Sequence, residues 1–153
     1  MTQLIESTVF EVIPYVGTNS VAFGMNPLQV KEILGQSNEK LKNHQGKLVE
    51  FWSYMNVCYS ERGVVEHIGF GRQMKNIILN DVNLFYSDSS AVLKKLLTMD
   101  FDPMEYHGFL IFLKLGISLT GFHDDVEDDK AAALFMRGAW DLRKSKMKKF
   151  KLA

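Results

Sequence analysis

The sequence predicts an α+β fold: two similar halves, each with one helix and an antiparallel sheet, in one compact domain. Two short segments carry helix caps and apolar stripes, whereas most other apolar runs have the length of strands. These strand-like runs follow one another through short links, which favours antiparallel pairing. The order helix, connector, three strands occurs twice. We therefore expect a domain over residues 1–142, with halves 1–80 and 81–142, followed by a basic tail, 143–153.

The first helix is predicted over NPLQVKEILG. Asn26 is a favourable N-cap, Pro27 suits the first helical position, and Gln29 stands where a capping box places Glu or Gln. Gly35 is a typical C-terminal stop. Three apolar residues repeat at helical spacing and form a stripe along the helix: Val30, Ile33 and Leu34.

Three strands are predicted after the polar connector 36–47: LVEFWSYM (48–55), NVCYS (56–60) and VVEHIGFG (64–71). A turn over Ser60–Gly63 joins the last two, because Gly63 can adopt a positive φ. One more strand is expected at TVFEVIPYV near the N-terminus. Pro14 places that strand at a sheet edge or at a strand end.

The second half repeats this order. Asp88 or Ser89 can cap the helix SSAVLKKLLTM, and three strands are predicted at GFLIFLKL, GISLTGF and AAALFMRGAW. The acidic loop HDDVEDDK separates the last two strands. A shift of 62 residues aligns Asn26 with Asp88, whereas a shift of 63 aligns the apolar stripes of the two helices. The register of the repeat is therefore open by one residue.

Composition is that of a globular protein, with 46% apolar and 24% charged residues among 153. No apolar run approaches the ~18 residues that a membrane span requires, so we expect no membrane partner. The first residues, MTQLIESTVF, lack the pattern of a signal peptide. Cys58 is the only cysteine, which excludes an intrachain disulfide. These features predict a cytoplasmic protein.

Charge is balanced overall, with 18 acidic and 18 basic residues, but it is uneven along the chain. Residues 81–142 carry eleven acids and five bases, and residues 143–153 carry six bases and no acid. The tail is interpreted as a solvated terminus, as a patch for nucleic acid or membrane, or as a segment that folds back onto the acidic half. A dedicated nucleic-acid binder is basic over a whole face, so no nucleic-acid partner is predicted.

Candidate catalytic chemistry is sparse. The four histidines show no zinc-ligand spacing, and GFGR at 69–72 lacks the spacing of a phosphate loop. His123 with the neighbouring acids could ligate a metal, but the loop lacks the spacing and central glycine of a calcium hand. No basic neighbour in sequence lowers the pKa of Cys58, so a packed thiol is predicted rather than a nucleophile. We expect no enzyme, no metal and no cofactor.

Aromatic residues crowd the first predicted sheet. If Phe51 points to the core, Trp52 and Tyr54 lie on the opposite face, because side chains alternate along a strand. Either another part of the chain covers that face, or the two rings form an exposed patch that anchors a protein partner.

The segment VAFGMNPLQVKEILGQ resembles a bacterial signature in which Phe-Gly-Met precedes a capped helix ending in Leu-Gly. That signature occurs in β-lactamase inhibitor proteins and in small outer-membrane assembly lipoproteins. A longer resemblance covers nearly the whole chain through PYVGTNSVAFGM, ERGVVEHIGF, LKLGISL and FMRGAWD. It is to small bacterial cytoplasmic proteins that are uncharacterised or encoded beside polymorphic toxins as immunity proteins. The chain departs from that family in its acidic loop and basic tail.

The resemblance implies an immunity or inhibitor protein that neutralises a cognate toxin, such as a type VI secretion effector, in a stoichiometric complex. The alternative is a small cytoplasmic adaptor or housekeeping module with another partner. We expect the acidic loop to take part in partner recognition, because a cluster of like charges stays in solvent and attracts a basic partner. The predicted partner-binding residues are Asp124, Asp125, Glu127, Asp128, Asp129, Trp52 and Tyr54.

Overall fold

A computed structural model describes residues 5–151, and both predicted helices are confirmed in it. Their bounds are Pro27–Leu34 for α1 and Ser89–Met99 for α2. Asn26 Oδ1 accepts a hydrogen bond from Gln29 N at 2.9 Å, and Gln29 Oε1 accepts one from Asn26 N at 2.9 Å. This reciprocal pair is the predicted capping box. Asp88 caps α2 by accepting a hydrogen bond from Ala91 N at 3.3 Å.

The described residues form thirteen strands in two sheets. The small sheet has the order β2-β1-β7-β8, and its strands are β1 (Val9–Ile13), β2 (Gly17–Thr18), β7 (Asn76–Leu79) and β8 (Val82–Asn83). The large sheet has the order β13-β9-β10-β11-β12-β6-β5-β4-β3. Its strands are β3 (Glu39–Lys42), β4 (Leu48–Trp52), β5 (Met55–Tyr59), β6 (Val65–Gly71), β9 (Met104–Tyr106), β10 (Phe109–Phe112), β11 (Ile117–Thr120), β12 (Ala131–Phe135) and β13 (Lys148–Lys149).

All pairs in the large sheet are antiparallel, and its order follows the chain in two runs. Strands β3 to β6 follow α1, and strands β9 to β12 follow α2. The last strands of the two runs, β6 and β12, pair with each other at the centre, where His67 lies opposite Phe135. Mixed α+β architecture with short helices is therefore confirmed, with β-structure dominant.

The main core lies on one face of the large sheet. The small sheet packs there, with the rings of Phe10 and Phe70 at 5.6 Å between centroids. Both helices bury apolar residues in the same cluster: Val30, Val92, Leu93 and Leu96. Trp52 is 4% exposed, and its indole N–H donates to the carbonyl of Gly35 at 3.1 Å, which ties β4 to the end of α1. No helix within residues 5–151 is long and apolar enough to cross a lipid bilayer.

Three strand predictions need correction. The strand predicted over 48–55 is broken after Trp52 by a turn in which Ser53 has a φ of 49°, and Met55 already belongs to β5. The strand predicted over 131–140 ends at Phe135, because the chain turns away from the sheet at Met136. The connector 36–47 contains the edge strand β3, whose four residues are all exposed. The strand predicted at the N-terminus is confirmed as β1, which ends just before Pro14.

The basic segment after residue 142 belongs to the fold as far as it is described. A 3₁₀ turn covers Asp141–Lys146, and β13 then pairs with β9 at the sheet edge. Met147 is 9% exposed, and Phe150 N donates to the carbonyl of Pro103 at 3.2 Å. The segment thus folds back onto the second half, as one of the three interpretations proposed. Residues 152 and 153 lie outside the described part.

Candidate protein-binding face

The large sheet has one face that points away from the helices, which we call the open face. Alternation along the central strands assigns its side chains. Strands β4, β5 and β6 contribute Phe51, Asn56, Cys58, His67, Gly69 and Gly71. Strands β12, β11 and β10 contribute Ala131, Ala133, Ser118, Thr120 and Phe109. Most are half-buried, although they lie in the middle of a nine-stranded sheet. The open face is therefore accessible to a ligand or a partner.

A shallow groove of about 500 Å³ runs over the centre of the open face. Its floor consists of small residues from β6 and β12: Gly69, Gly71, Ala131 and Ala133. Aromatic side chains flank it, among them Tyr54, which is 48% exposed, and Phe109, which is 38% exposed. We call this feature the small-residue groove. A concave floor between exposed rings is typical of a surface that receives a protruding side chain or loop.

The glycine at the centre of the floor has a packing reason. Gly69 lies opposite Asn56 across the β5–β6 pair, and a Cβ on Gly69 would stand 2.7 Å from Asn56 Nδ2. The amide of Asn56 therefore lies across the glycine. A larger residue at position 69 would push this amide into the groove. The floor is shallow because the chain places a glycine and a short polar side chain at facing positions.

A second cavity, of about 710 Å³, lies between β4–β6 and the segment that follows β12. Its polar lining includes Lys47 and Glu66, whose side chains form an ion pair at 2.7 Å. Hydrogen bonding to Glu66 raises the pKa of Lys47. Met136 (38% exposed) and Leu142 (91% exposed) contribute apolar side chains to its rim. We call this feature the polar cavity.

His67 stands where the open-face cavities meet. It lines the small-residue groove, the polar cavity and a third, aromatic cavity. Burial lowers the pKa of His67, against a smaller opposing effect of Glu66. The ring is therefore neutral at pH 7 and can donate one hydrogen bond and accept another.

Cys58 is half-buried on the same face. Burial raises the pKa of its thiol, and the nearby charge of Glu66 adds to this. The thiol is therefore protonated near neutral pH, which does not favour nucleophilic chemistry. Asn43 Nδ2 lies 3.9 Å from the sulfur, at the limit of a weak contact.

Part of the open face is covered by the segment 136–147. Ile111, Phe135 and Met147 are buried in a small second cluster, against which Trp140 packs. The Tyr15 hydroxyl donates to the carbonyl of Leu113 and joins the N-terminal region to this cluster. Burial raises the pKa of Tyr15. The segment packs on the β9–β11 side of the sheet, and it faces the β4–β6 side across the polar cavity.

The acidic loop connects β11 to β12 at one end of the small-residue groove. All five acids are exposed: Asp124, Asp125, Glu127, Asp128 and Asp129. Arg72 pairs with Asp128 at 3.2 Å, and Lys130 pairs with Glu127 at 3.1 Å. Lys130 is 8% exposed and lies over the ring of Phe122, so the base of the loop is anchored in the fold.

The opposite end of β12 is basic. Arg137 follows the strand and stacks on the ring of Tyr15 at 4.2 Å, and Arg143 lines the polar cavity. Five strand residues separate the two ends, a span of about 14 Å at 3.4 Å per residue. The open face thus has an acidic end and a basic end. Within residues 5–151, no ion pair joins the acidic loop to the basic segment.

The predicted aromatic patch is only half present. Tyr54 lies on the groove wall, whereas Trp52 is in the core, so the expectation that the two rings share the outer face is wrong. The reason is the turn at Ser53, which ends the alternation that the sequence pattern assumed. Phe51 instead faces the groove. Sequence reasoning missed Phe109 and Met136, because each was assigned to a continuous strand, and Leu142, which no predicted element contained.

His123, the histidine beside the acidic loop, turns away from the acids. Its Nε2 lies 2.9 Å from Glu105 Oε2, and its ring packs edge-on against Phe150 at 5.5 Å. In the part of the chain that the structure describes, no group of three or more His, Cys, Asp or Glu residues is placed to hold a metal ion.

Comparisons with known protein families, with curated proteins and with solved structures found no match. What the chain binds is therefore inferred from the open face itself.

Proposed function

We propose that the chain is an immunity or inhibitor protein that neutralises a cognate bacterial toxin, such as a type VI secretion effector, by stoichiometric binding on the open face. The observation that carries the proposal is the combination of a small-residue floor with exposed apolar side chains around it: Tyr54, Phe109, Met136 and Leu142. Isolated exposed apolar residues are common, but a set that rims connected cavities is typical of an interaction site.

The size of the surface supports a protein partner. A specific interface requires about 800 Å² from each partner, and the open face spans the central strands of the large sheet. Apolar side chains at its centre and charges at its ends match the usual arrangement of an interface, with an apolar core and a polar rim.

The charges favour one orientation of the partner. The acidic loop attracts a basic element, and Arg137 and Arg143 at the other end attract an acidic one. Many proteins that act on nucleic acids have basic clefts, and the acidic loop could enter such a cleft. The anchored base of the loop, held by Lys130, limits the entropy lost on binding.

We also propose that the domain consists of two related halves, and the strand order supports this. Each helix precedes four antiparallel strands, and the fourth strands pair at the centre. Residues 26–71, from the cap of α1 to the end of β6, would then correspond to residues 88–135, from the cap of α2 to the end of β12. The alternative function, a small adaptor with another cytoplasmic partner, would use the same open face.

Co-expression tests the proposal. The product of each neighbouring gene is expressed in a bacterial host with the wild-type protein, with Ala133→Arg or with Ala91→Arg. Ala133 lies on the groove floor, whereas Ala91 is exposed on α2, so the two variants make the same chemical change at different sites. We expect the wild type and Ala91→Arg to rescue growth and Ala133→Arg to fail. No rescue and no complex with the wild-type protein would contradict the toxin assignment.

A further inference from the structure

A third cavity on the open face, of about 450 Å³, is lined mainly by aromatic rings, and we call it the aromatic cavity. Its walls are Tyr106, Phe109, Phe135 and Trp140. Trp140 lies at the centre of this group, with ring centroids 6.0 Å from Tyr106, 5.8 Å from Phe109 and 6.2 Å from Phe135. Volumes of this size are typical of small-ligand sites, which combine apolar walls with a few polar groups.

The polar groups of the aromatic cavity are few and specific. They are His67, His107, Ser118 and Arg143, of which Arg143 alone carries a permanent charge. Trp140 precedes the 3₁₀ turn that contains Arg143, and Arg143 N donates to the carbonyl of Trp140 at 2.9 Å. Side chains three residues apart eclipse in such a turn. One turn of backbone therefore presents an indole and a guanidinium to the same cavity.

The guanidinium of Arg143 is not neutralised within residues 5–151. The neighbouring acids have other partners: Asp141 pairs with Lys144 at 3.0 Å, and Glu66 pairs with Lys47 at 2.7 Å. Arg143 takes part in none of the ion pairs of the described residues. A guanidinium beside aromatic walls is suited to bind a carboxylate through two parallel hydrogen bonds.

We infer that the aromatic cavity binds a planar aromatic ring that carries a carboxylate. The ring packs among the four aromatic side chains, in the edge-to-face or offset geometry that such rings prefer. The carboxylate pairs with Arg143, and His67 supplies a neutral hydrogen-bonding group at the inner side. The same chemistry occurs in a free aromatic acid and in a polypeptide that ends in phenylalanine.

The two tryptophans allow a direct test by NMR on the whole chain. Trp140 lies in the cavity, and Trp52, bonded to Gly35 in the core, serves as an internal reference. The probes are phenylacetate and its neutral counterpart phenylacetamide, titrated to about 20 mM, since fragments of this size bind with Kd values in the millimolar range. We expect phenylacetate to shift the indole N–H signal of Trp140 and not that of Trp52, and to bind about threefold more tightly than phenylacetamide.

Two variants distinguish the contribution of the Arg143 charge to binding from that of the aromatic walls. Arg143→Gln should remove the preference for phenylacetate, whereas Lys146→Gln, which deletes a charge from the same turn outside this cavity and leaves the Asp141–Lys144 ion pair intact, should retain it. Both residues are exposed, so neither change should prevent folding. The inference is overturned if the Trp140 signal does not move, if both indole signals move alike, or if Arg143→Gln and Lys146→Gln bind phenylacetate equally.

A peptide pair distinguishes the two sources. Acetyl-Gly-Phe is tested with a free and with an amidated C-terminus, beside phenylacetate. Tighter binding of the free peptide acid than of phenylacetate assigns the cavity to a chain terminus, and the reverse assigns it to a small aromatic acid. The test needs no toxin, so its outcome is independent of the proposed function.

Discussion

The two sides of the open face differ in the path of the chain after the last strand of each run. After β6 the chain leaves for the small sheet, and it places no segment against the β4–β6 side. After β12 the chain turns back as the segment 136–147 and covers the β9–β11 side with Trp140 and Met147. The same order of helix and strands thus yields one exposed side and one partly covered side. The connections that follow β6 and β12 therefore determine which side of the open face is exposed.

The largest expected effect is the difference in stability between variants of the two tryptophans. Trp52→Ala removes a buried ring from the main core, so we expect a loss of about 3–5 kcal/mol in the free energy of unfolding. Trp140→Ala disturbs only the cover over the second side and should cost about 1–2 kcal/mol. Urea unfolding of both variants measures the difference. Equal losses would mean that the cover is as integral to the fold as the main core.

Removal of the helix caps should have an effect of intermediate size on stability, and it should differ between α1 and α2. Asn26→Ala removes a capping box with two hydrogen bonds of 2.9 Å, and we expect a cost of about 1 kcal/mol. Asp88→Ala removes one longer bond of 3.3 Å and should cost about 0.5 kcal/mol. Thermal scans of the two variants test the order. A larger loss for Asp88→Ala would contradict the view that the first helix is the better capped.

The acidic loop should affect association and leave stability nearly unchanged. Asp124, Asp125, Asp128 and Asp129 are all exposed, so replacing them with Asn and Ser changes few contacts of the folded chain. We expect slower association with the toxin at low salt and a smaller difference at high salt, because screening removes long-range attraction. Stopped-flow association at two ionic strengths measures this.

The matched control for the loop is a set of charge removals on the basic segment, at and beside β13. Lys146→Gln, Lys148→Gln and Lys149→Gln change exposed residues and should leave the rate of association with a basic partner unchanged or faster. Deletion of residues 144–153 is not a clean control, since it would remove β13 and the buried Met147. An unchanged association rate for the loop variant at low salt would mean that the loop is a solvated hairpin end without a role in recognition.

The smallest effect is a pH dependence from His67. Burial lowers its pKa in the folded state, so the unfolded chain binds more protons between that pKa and about 6.5. The neutral ring therefore contributes stability above the unfolded pKa, and this contribution is lost as the pH falls toward the folded pKa. We expect His67→Gln to lose less stability than the wild type between pH 7 and pH 5. Parallel urea titrations check this, and identical losses would contradict it.

Local signals explain which elements were predictable from the sequence. The helix bounds were predicted well because Asn26, Gln29 and Asp88 act on the adjacent backbone and need no tertiary context. The strand β3 was missed because its residues, EKLK, are exposed on both sides and show no alternation. The small sheet was missed because its pairing of β1 with β7 joins residues more than sixty positions apart.

Only the part of the candidate site that has a local signal in the sequence could be predicted. The acidic loop is visible in sequence, since five like charges within six residues do not become buried without partners. Trp52 and Tyr54 lie on opposite faces because of a turn at Ser53, and no glycine in the sequence marks this turn. The groove itself depends on β6 pairing with β12, a contact between the two halves that no local pattern specifies.

The central claim is that a protein partner docks on the small-residue groove, and one measurement tests it most directly. Isothermal titration of the purified toxin into the wild type, Ala133→Arg and Ala91→Arg gives three affinities on the same scale, after circular dichroism has shown that all three are folded. We predict a one-to-one complex for the wild type and Ala91→Arg, with at least about tenfold weaker binding for Ala133→Arg. Equal affinities for a folded Ala133→Arg and the wild type would contradict the claim and place the interface elsewhere.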